Sequence, residues 1–269
     1  MRNALFAMLD IGPIHQAYYQ RTLFLTNDVR ALNPTNMNQQ NPRTIVSRRD
    51  RPAKAPLSRD VIISTALEIL TREGLSGLSM RKVAAALDTG PASLYVYIAN
   101  LEELHALVLD LALAEVVLST DRNDDWRTRL KAVMKSYFFV IFSRPGLGQL
   151  AMATIPCGPN AMRMTEMLLD LLLEGGVVPA VAAWAVDLIL LHVTAIAAEQ
   201  SVRRNQESPV ERVALFYESN SGTEHPHIQA LHEDLFSGGG TRFDWALDVL
   251  INGVVHTPNI ATTLTSGDS

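Results

Sequence analysis

Between residues 80 and 98 the sequence carries side chains that suit surface recognition better than a core. They are Arg81, Ser93, Tyr95 and Tyr97, on short stretches with helical spacing. No nucleophile stands beside a base there. Phenolic hydroxyls suit phosphate oxygens, and tyrosine rings suit thymine methyl groups. Leu94 and Ile98, four apart, pin one side of a short helix inward, which leaves Ala92, Ser93, Tyr95, Val96 and Tyr97 pointing outward. Val83, Ala84 and Leu87 are apolar at the spacing that packs the preceding helix inward.

Four helices must carry and position that face. Ser58 is the expected N-cap of the first, whose stripe of Val61, Ile62, Thr65, Ala66, Ile69 and Leu70 ends at Gly74. Ser79 caps a second helix to about Leu87. Gly90-Pro91 opens a third, and Asn100 with Glu103 forms a capping box for a fourth, through about Leu118. Two short helices joined at Leu87–Gly90 and braced by a longer one make a helix-turn-helix, whose second short helix enters the major groove.

The run LSMRKVAAALDTGPASLYVYIANLEELHALV, preceded by RDVIISTALEILTREGLSGLS, resembles the DNA-binding domain of the tetracycline-repressor (TetR) family. The resemblance is strong over residues 58–118 and fades beyond, although RFDWALDVLINGV is similar to the end of a tetracycline-repressor-like C-terminal domain. It implies that Arg81 reaches a guanine edge, where its fork meets O6 and N7 together. Ser93, Val96 and Tyr97 would face bases and Tyr95 a phosphate, with Met80 and Ala92 completing the set. Two positions depart from the family pattern. Asp88 stands where the turn usually has Gly, and Leu101 where a phosphate-binding Lys is common. Asp visits the left-handed region at modest cost, and the helix N-terminus still offers amides to phosphate.

The expected fold is all-α: a three-helix helix-turn-helix DNA-binding domain (57–104), then an all-helical ligand-binding and dimerisation domain (119–257), with the fourth helix (101–118) connecting them. Residues 1–56 read as a poorly structured basic arm or an over-extended start, and 258–269 as a disordered tail. Residues 1–90 hold 12 Lys/Arg against 7 Asp/Glu and residues 91–269 hold 11 against 21, so a basic front precedes an acidic rear. Arg43, Arg48, Arg49, Arg51, Lys54 and Arg59 face only Asp50 and Asp60, a composition suited to an arm entering the minor groove or to a solvated linker. The lone Cys157 excludes an internal disulfide, argues for a reducing, cytoplasmic setting and reads as a small core residue. The apolar run Ala180–Ala198 carries Asp187 and His192 and reads as a buried helix, with no membrane partner.

The acidic half divides further. Helices are expected at Asp124 to before Pro145, Asn160–Glu174, Pro179–Arg204, from Ser208-Pro209 onward, and Arg242–His256, with Pro145–Ile155 ambiguous. Small residues Ala182, Ala183, Ala197 and Ala198 allow close helix approach, and paired operator half-sites demand a two-fold homodimer. Phe138, Phe142, Met152, Met164, Met167, Trp184 and His192 are candidates to line a pocket for an unknown small-molecule effector, although such residues are more often ordinary core, and His192 reads as a satisfied core histidine ahead of a polar handle for the ligand. His225, His227, His232 and Glu233 match no zinc spacing, so no metal and no cofactor is expected. No Walker loop, GxGxxG, GxSxG or HExxH is present, so the expectation is a regulator rather than an enzyme. The reading is a repressor of double-stranded operator DNA, released by its effector. An activator, or a helical adaptor that keeps the fold without DNA readout, stays open.

Overall fold

The computed structural model describes residues 56–118, 121–203, 209–220 and 222–257. The tail, nearly all of the arm and Ser208 lie outside the described residues. Among the described residues all regular structure is helical. Helix α1 spans Arg59–Glu73, and a 3-10 turn over Leu75–Gly77 leads to α2, Met80–Ala86. Ser58 Oγ accepts from the Val61 amide and Ser79 Oγ from the Lys82 amide, each at 3.3 Å, as the sequence predicts. Helix α3 covers only Pro91–Leu94, with Tyr95–Tyr97 continuing as a turn, and α4 runs Leu101–Leu113. Both are shorter than their apolar periodicity suggests.

Ile62, Ala66, Ile69 and Leu70 of α1 are buried, as are Leu94, Ile98, Leu104 and Val108, so one core unites α1 to α4. Each such large side chain contributes ~1.5–3 kcal/mol.

The remainder is built on α5, Trp126–Ser143, and the 25-residue α8, Pro179–Arg203, which cross with Tyr137 against Thr194. Tyr137 Oη lies 2.6 Å from Thr194 Oγ1, whose hydroxyl donates to the Leu190 carbonyl at 2.7 Å. The phenol therefore donates to threonine, and the buried chain is satisfied. The stretch left ambiguous by its sequence forms α6, Leu147–Ala153; α7 is Pro159–Glu174 and closes at Gly175-Gly176 as expected. A Cβ at Gly148 would lie 2.6 Å from the Ala198 Cα, so only glycine lets α6 seat on α8.

Helices α9 (Pro209–Asn220), α10 (Pro226–Ala230) and α11 (His232–Phe236) pack on one another. The last two carry His227, His232 and Glu233 of the cluster that matches no zinc spacing. Helix α12, Thr241–His256, buries Phe243, Leu247, Ile251 and Val254. It lies antiparallel to α5, held by Arg127–Asn252 (2.8 Å), Lys131–Asp248 (2.9 Å) and Lys135–Asp244 (2.9 Å). Partly exposed pairs add little stability each, but the four-residue step on both helices fixes their register.

Two expectations fail. Cys157 is exposed, because it falls in the extended link between α6 and α7 rather than on a helix face. Helix α8 is buried on one side only, with Trp184, Leu188, Leu191 and Val202 exposed. By length and composition it is apolar enough to cross a membrane, but its buried side packs on α5, α6, α7 and α12.

Candidate nucleic-acid interface

The recognition face is set from behind. Leu94 is 0% and Ile98 1% exposed, while Tyr95, Val96 and Tyr97 between them are 54%, 79% and 38% exposed. A turn of helix that begins on Pro91 places consecutive side chains about 100° apart, so anchoring two positions four apart forces the intervening three outward. Ala92 is exposed and Ser93 half-buried on the same segment. The joining turn needs a left-handed residue, and Asp88 supplies it with φ 49°.

Arg81 is exposed on the first turn of α2. Its neighbour Lys82 donates to Glu73 at 2.5 Å, and Arg72 also pairs with Glu73. The two cations hold the Glu73 carboxyl below the usual carboxylate range, Lys82 first. Met80 differs from the rest of the expected set. It is only 8% exposed and belongs to the buried side of α2 with Val83 and Ala84.

The far side of the recognition segment is tied to α4. Asn100 Oδ1 accepts from the Glu103 amide at 2.8 Å, and Glu103 Oε2 accepts from the Ala99 amide at 2.6 Å. Arg59, the first residue of α1, pairs with Glu103 Oε1 at 2.5 Å. Glu103 thus joins α1, the exit of the recognition turn and α4. Leu101 leaves an apolar, part-exposed side chain at the first position of α4.

The expected pocket residues separate into two groups. Phe138 and Phe142 are buried and stack at 5.5 Å, Phe243 lies 5.2 Å from Phe138, and Met164 is buried with Met167 half-buried. Trp184 and Met152 are instead on the surface, 61% and 49% exposed. His192 is half-buried; its Nε2 has no partner among the described residues, and burial lowers its imidazole pKa. It is not the satisfied core histidine that its apolar flanks suggest. His225 and His227 are exposed, and His232 Nε2 meets the Ala214 carbonyl at 2.9 Å.

Three polar groups escaped the sequence reading. Asp110 is 5% exposed inside α4, and His105 Nε2 and Gln149 Oε1 are buried without partners among the described residues. Burial lowers the His105 imidazole pKa. The signal for Asp110 was present: an acid at a buried position of an otherwise apolar helix requires partners.

Residues 62–106 match the model for bacterial regulatory proteins of the tetR family, and residues 119–257 match the tetracyclin repressor-like C-terminal domain. The chain is 29% identical over 217 residues to the HTH-type transcriptional repressor DrrR1 of Streptomyces coeruleorubidus, covering 76% of this chain and 80% of that protein. It is 32% identical over 162 residues to an HTH-type transcriptional regulator of Saccharopolyspora erythraea, covering 60% and 69%. Among solved structures, ActR of Streptomyces coelicolor in complex with actinorhodin is similar with a TM-score of 0.69 and 35% identity, over 74% of this chain and 97% of that one.

Proposed function

Since the chain belongs to the tetR family of bacterial regulatory proteins, we propose that it is a cytoplasmic, homodimeric repressor that grips operator DNA through residues 81–97 and releases it when a small molecule occupies the C-terminal half. The observation that carries this reading is the outward set of Tyr95, Val96 and Tyr97 held between two fully buried anchors. Three consecutive large side chains on the surface serve no core, and a short helix of that width suits the major groove. In this reading Arg81 reads a guanine; Ala92, Ser93, Val96 and Tyr97 face bases; Tyr95 meets a phosphate. Met80 supports α2 from inside.

Exposed apolar stripes support the dimer: Trp184, Leu188 and Leu191 on α8, and Trp245 and Val249 on α12. Two helices from each of two copies would cover these stripes about a two-fold axis, and would set two recognition faces a helical turn apart. For the effector, the complex of ActR with actinorhodin supports a small-molecule ligand, and the aromatic cluster of Phe138, Phe142 and Phe243 supports a place for it in the C-terminal half.

The test is selection of duplexes from random-sequence DNA by the full chain, followed by gel shifts. A palindromic duplex is expected. Arg81→Ala should weaken binding by ~1–3 kcal/mol and relax selectivity at one position. Tyr97→Ala should weaken it as well. Failure to enrich any duplex at low salt overturns the reading in favour of a helical adaptor.

A further inference from the structure

Helix α7 lacks a cap of its own: the residue before it is Gly158, with no side chain to accept from the first amides. Helix α4 supplies one. Asp110 Oδ1 accepts from the Ala161 amide at 2.8 Å, and Oδ2 accepts from Asn160 Nδ2 at 3.0 Å and from the Asn160 amide at 3.5 Å. Asn160 Nδ2 also donates to the Asp110 carbonyl at 3.0 Å, tying the α4 backbone to the same residue. A Cβ at Gly158 would run into the carboxyl, so the link closes over Asp110 without room to spare. The carboxylate is 5% exposed and sits at the positive end of a 16-residue helix.

From this geometry we infer that Asp110 is the positioning residue that makes α4 follow α7, and so carries effector occupancy to the DNA-reading face. The inference rests on the effector-controlled reading above. A buried carboxylate whose hydrogen bonds all come from one helix start cannot part from it without stranding a charge. Any occupant that shifts α7 through Met164 or Leu168, both buried on that helix, must move Asp110 with it. The same α4 holds Arg59 and Ala99 through Glu103 at its other end. Displacing α4 therefore tilts the recognition segment against α1. Glu115–Arg144 and the Val117 amide on Ser136 Oγ (2.8 Å) secure the exit of α4 to α5 and leave its N-terminal end as the part that swings.

Three substitutions open the same link from different sides: Asp110→Asn, which keeps the shape, Asn160→Ala on α7, and Gly158→Ala, which pushes the carboxyl out. Full-length protein is compared by hydrogen–deuterium exchange and by fluorescence anisotropy on a duplex selected by the wild type. Exchange at residues 160–161 should rise about tenfold or more in all three. Exchange in the 83–98 segment should change too, and duplex affinity should move ~5-fold or more in one shared direction. Tyr137→Phe, a destabilising change elsewhere, should leave the 83–98 exchange and the affinity alone. Exchange changes confined to α7, with 83–98 unaltered, would overturn the inference. If no duplex can be selected, the regulator reading falls while the exchange comparison still decides this one.

Discussion

Replacing Trp245 by alanine should break the proposed dimer while leaving each protomer folded. The indole is 68% exposed in the single chain and stands on α12 away from that helix's buried face of Phe243, Leu247, Ile251 and Val254. A tryptophan presents up to ~250 Å², so covering the exposed share removes about 170 Å² from water. At ~25 cal/mol per Å² that is about 4 kcal/mol per protomer, and about 8 per two-fold dimer. Area overstates binding energy, and taking half as realised leaves ~4 kcal/mol, about a thousandfold in the dimer dissociation constant. Sedimentation equilibrium across a micromolar range measures it, with circular dichroism melting as the check on folding. Operator affinity should fall in step, because a monomer reaches one half-site. A Trp245→Ala protein that stays dimeric with the wild-type dissociation constant would refute the assignment of α12 to the interface.

Further outcomes follow from single contacts. Gly146→Ala should cost at least ~2 kcal/mol in thermal or urea unfolding, because φ is +81° and the new Cβ would lie 2.6 Å from the Leu75 backbone nitrogen. Thr194→Val should cost ~1–3 kcal/mol by stranding the Tyr137 hydroxyl, and Tyr137→Phe only about 1. Burial raises the Tyr137 phenol pKa, so its contribution is intact below about pH 10 and lost as pH climbs beyond. Tyr137→Phe should remove that part of the alkaline slope in melting temperature. His105 and His192 are half-buried and burial lowers both imidazole pKa values, so stability holds above about pH 6.5 and declines as pH falls from there toward their folded values. His105→Leu should flatten this acid limb; an unchanged limb would remove His105 as its source.

The DNA-reading half was legible because its determinants are local. Ser58, Ser79, Gly90-Pro91 and Asn100 each cap the helix their sequence announces, and Leu94 with Ile98 settle which side faces out. Asp88 adopts the left-handed turn that its short polar side chain permits. The C-terminal half was legible only as helices. Its burial depends on contacts far apart in sequence: Trp184 and His192 lie in one apolar run, yet one is at the surface and the other half inside. Composition cannot separate a stripe that meets its own chain from one that awaits a second copy. Asp110 was missed for the same reason, since its partners lie 50 and 51 residues onward. The short α3 also escaped, because apolar spacing sees Leu94 and Ile98 as one helix where the backbone tightens after Leu94.

Photo-cross-linking from a benzophenone amino acid at Val96, which is 79% exposed, to the selected duplex tests the groove assignment at the atoms concerned. Cross-links should map to bases in two half-sites about 34 Å apart, with none from the same probe at Trp184. Cross-links from Trp184 rather than Val96, or from neither, would contradict a recognition segment that lies in the major groove.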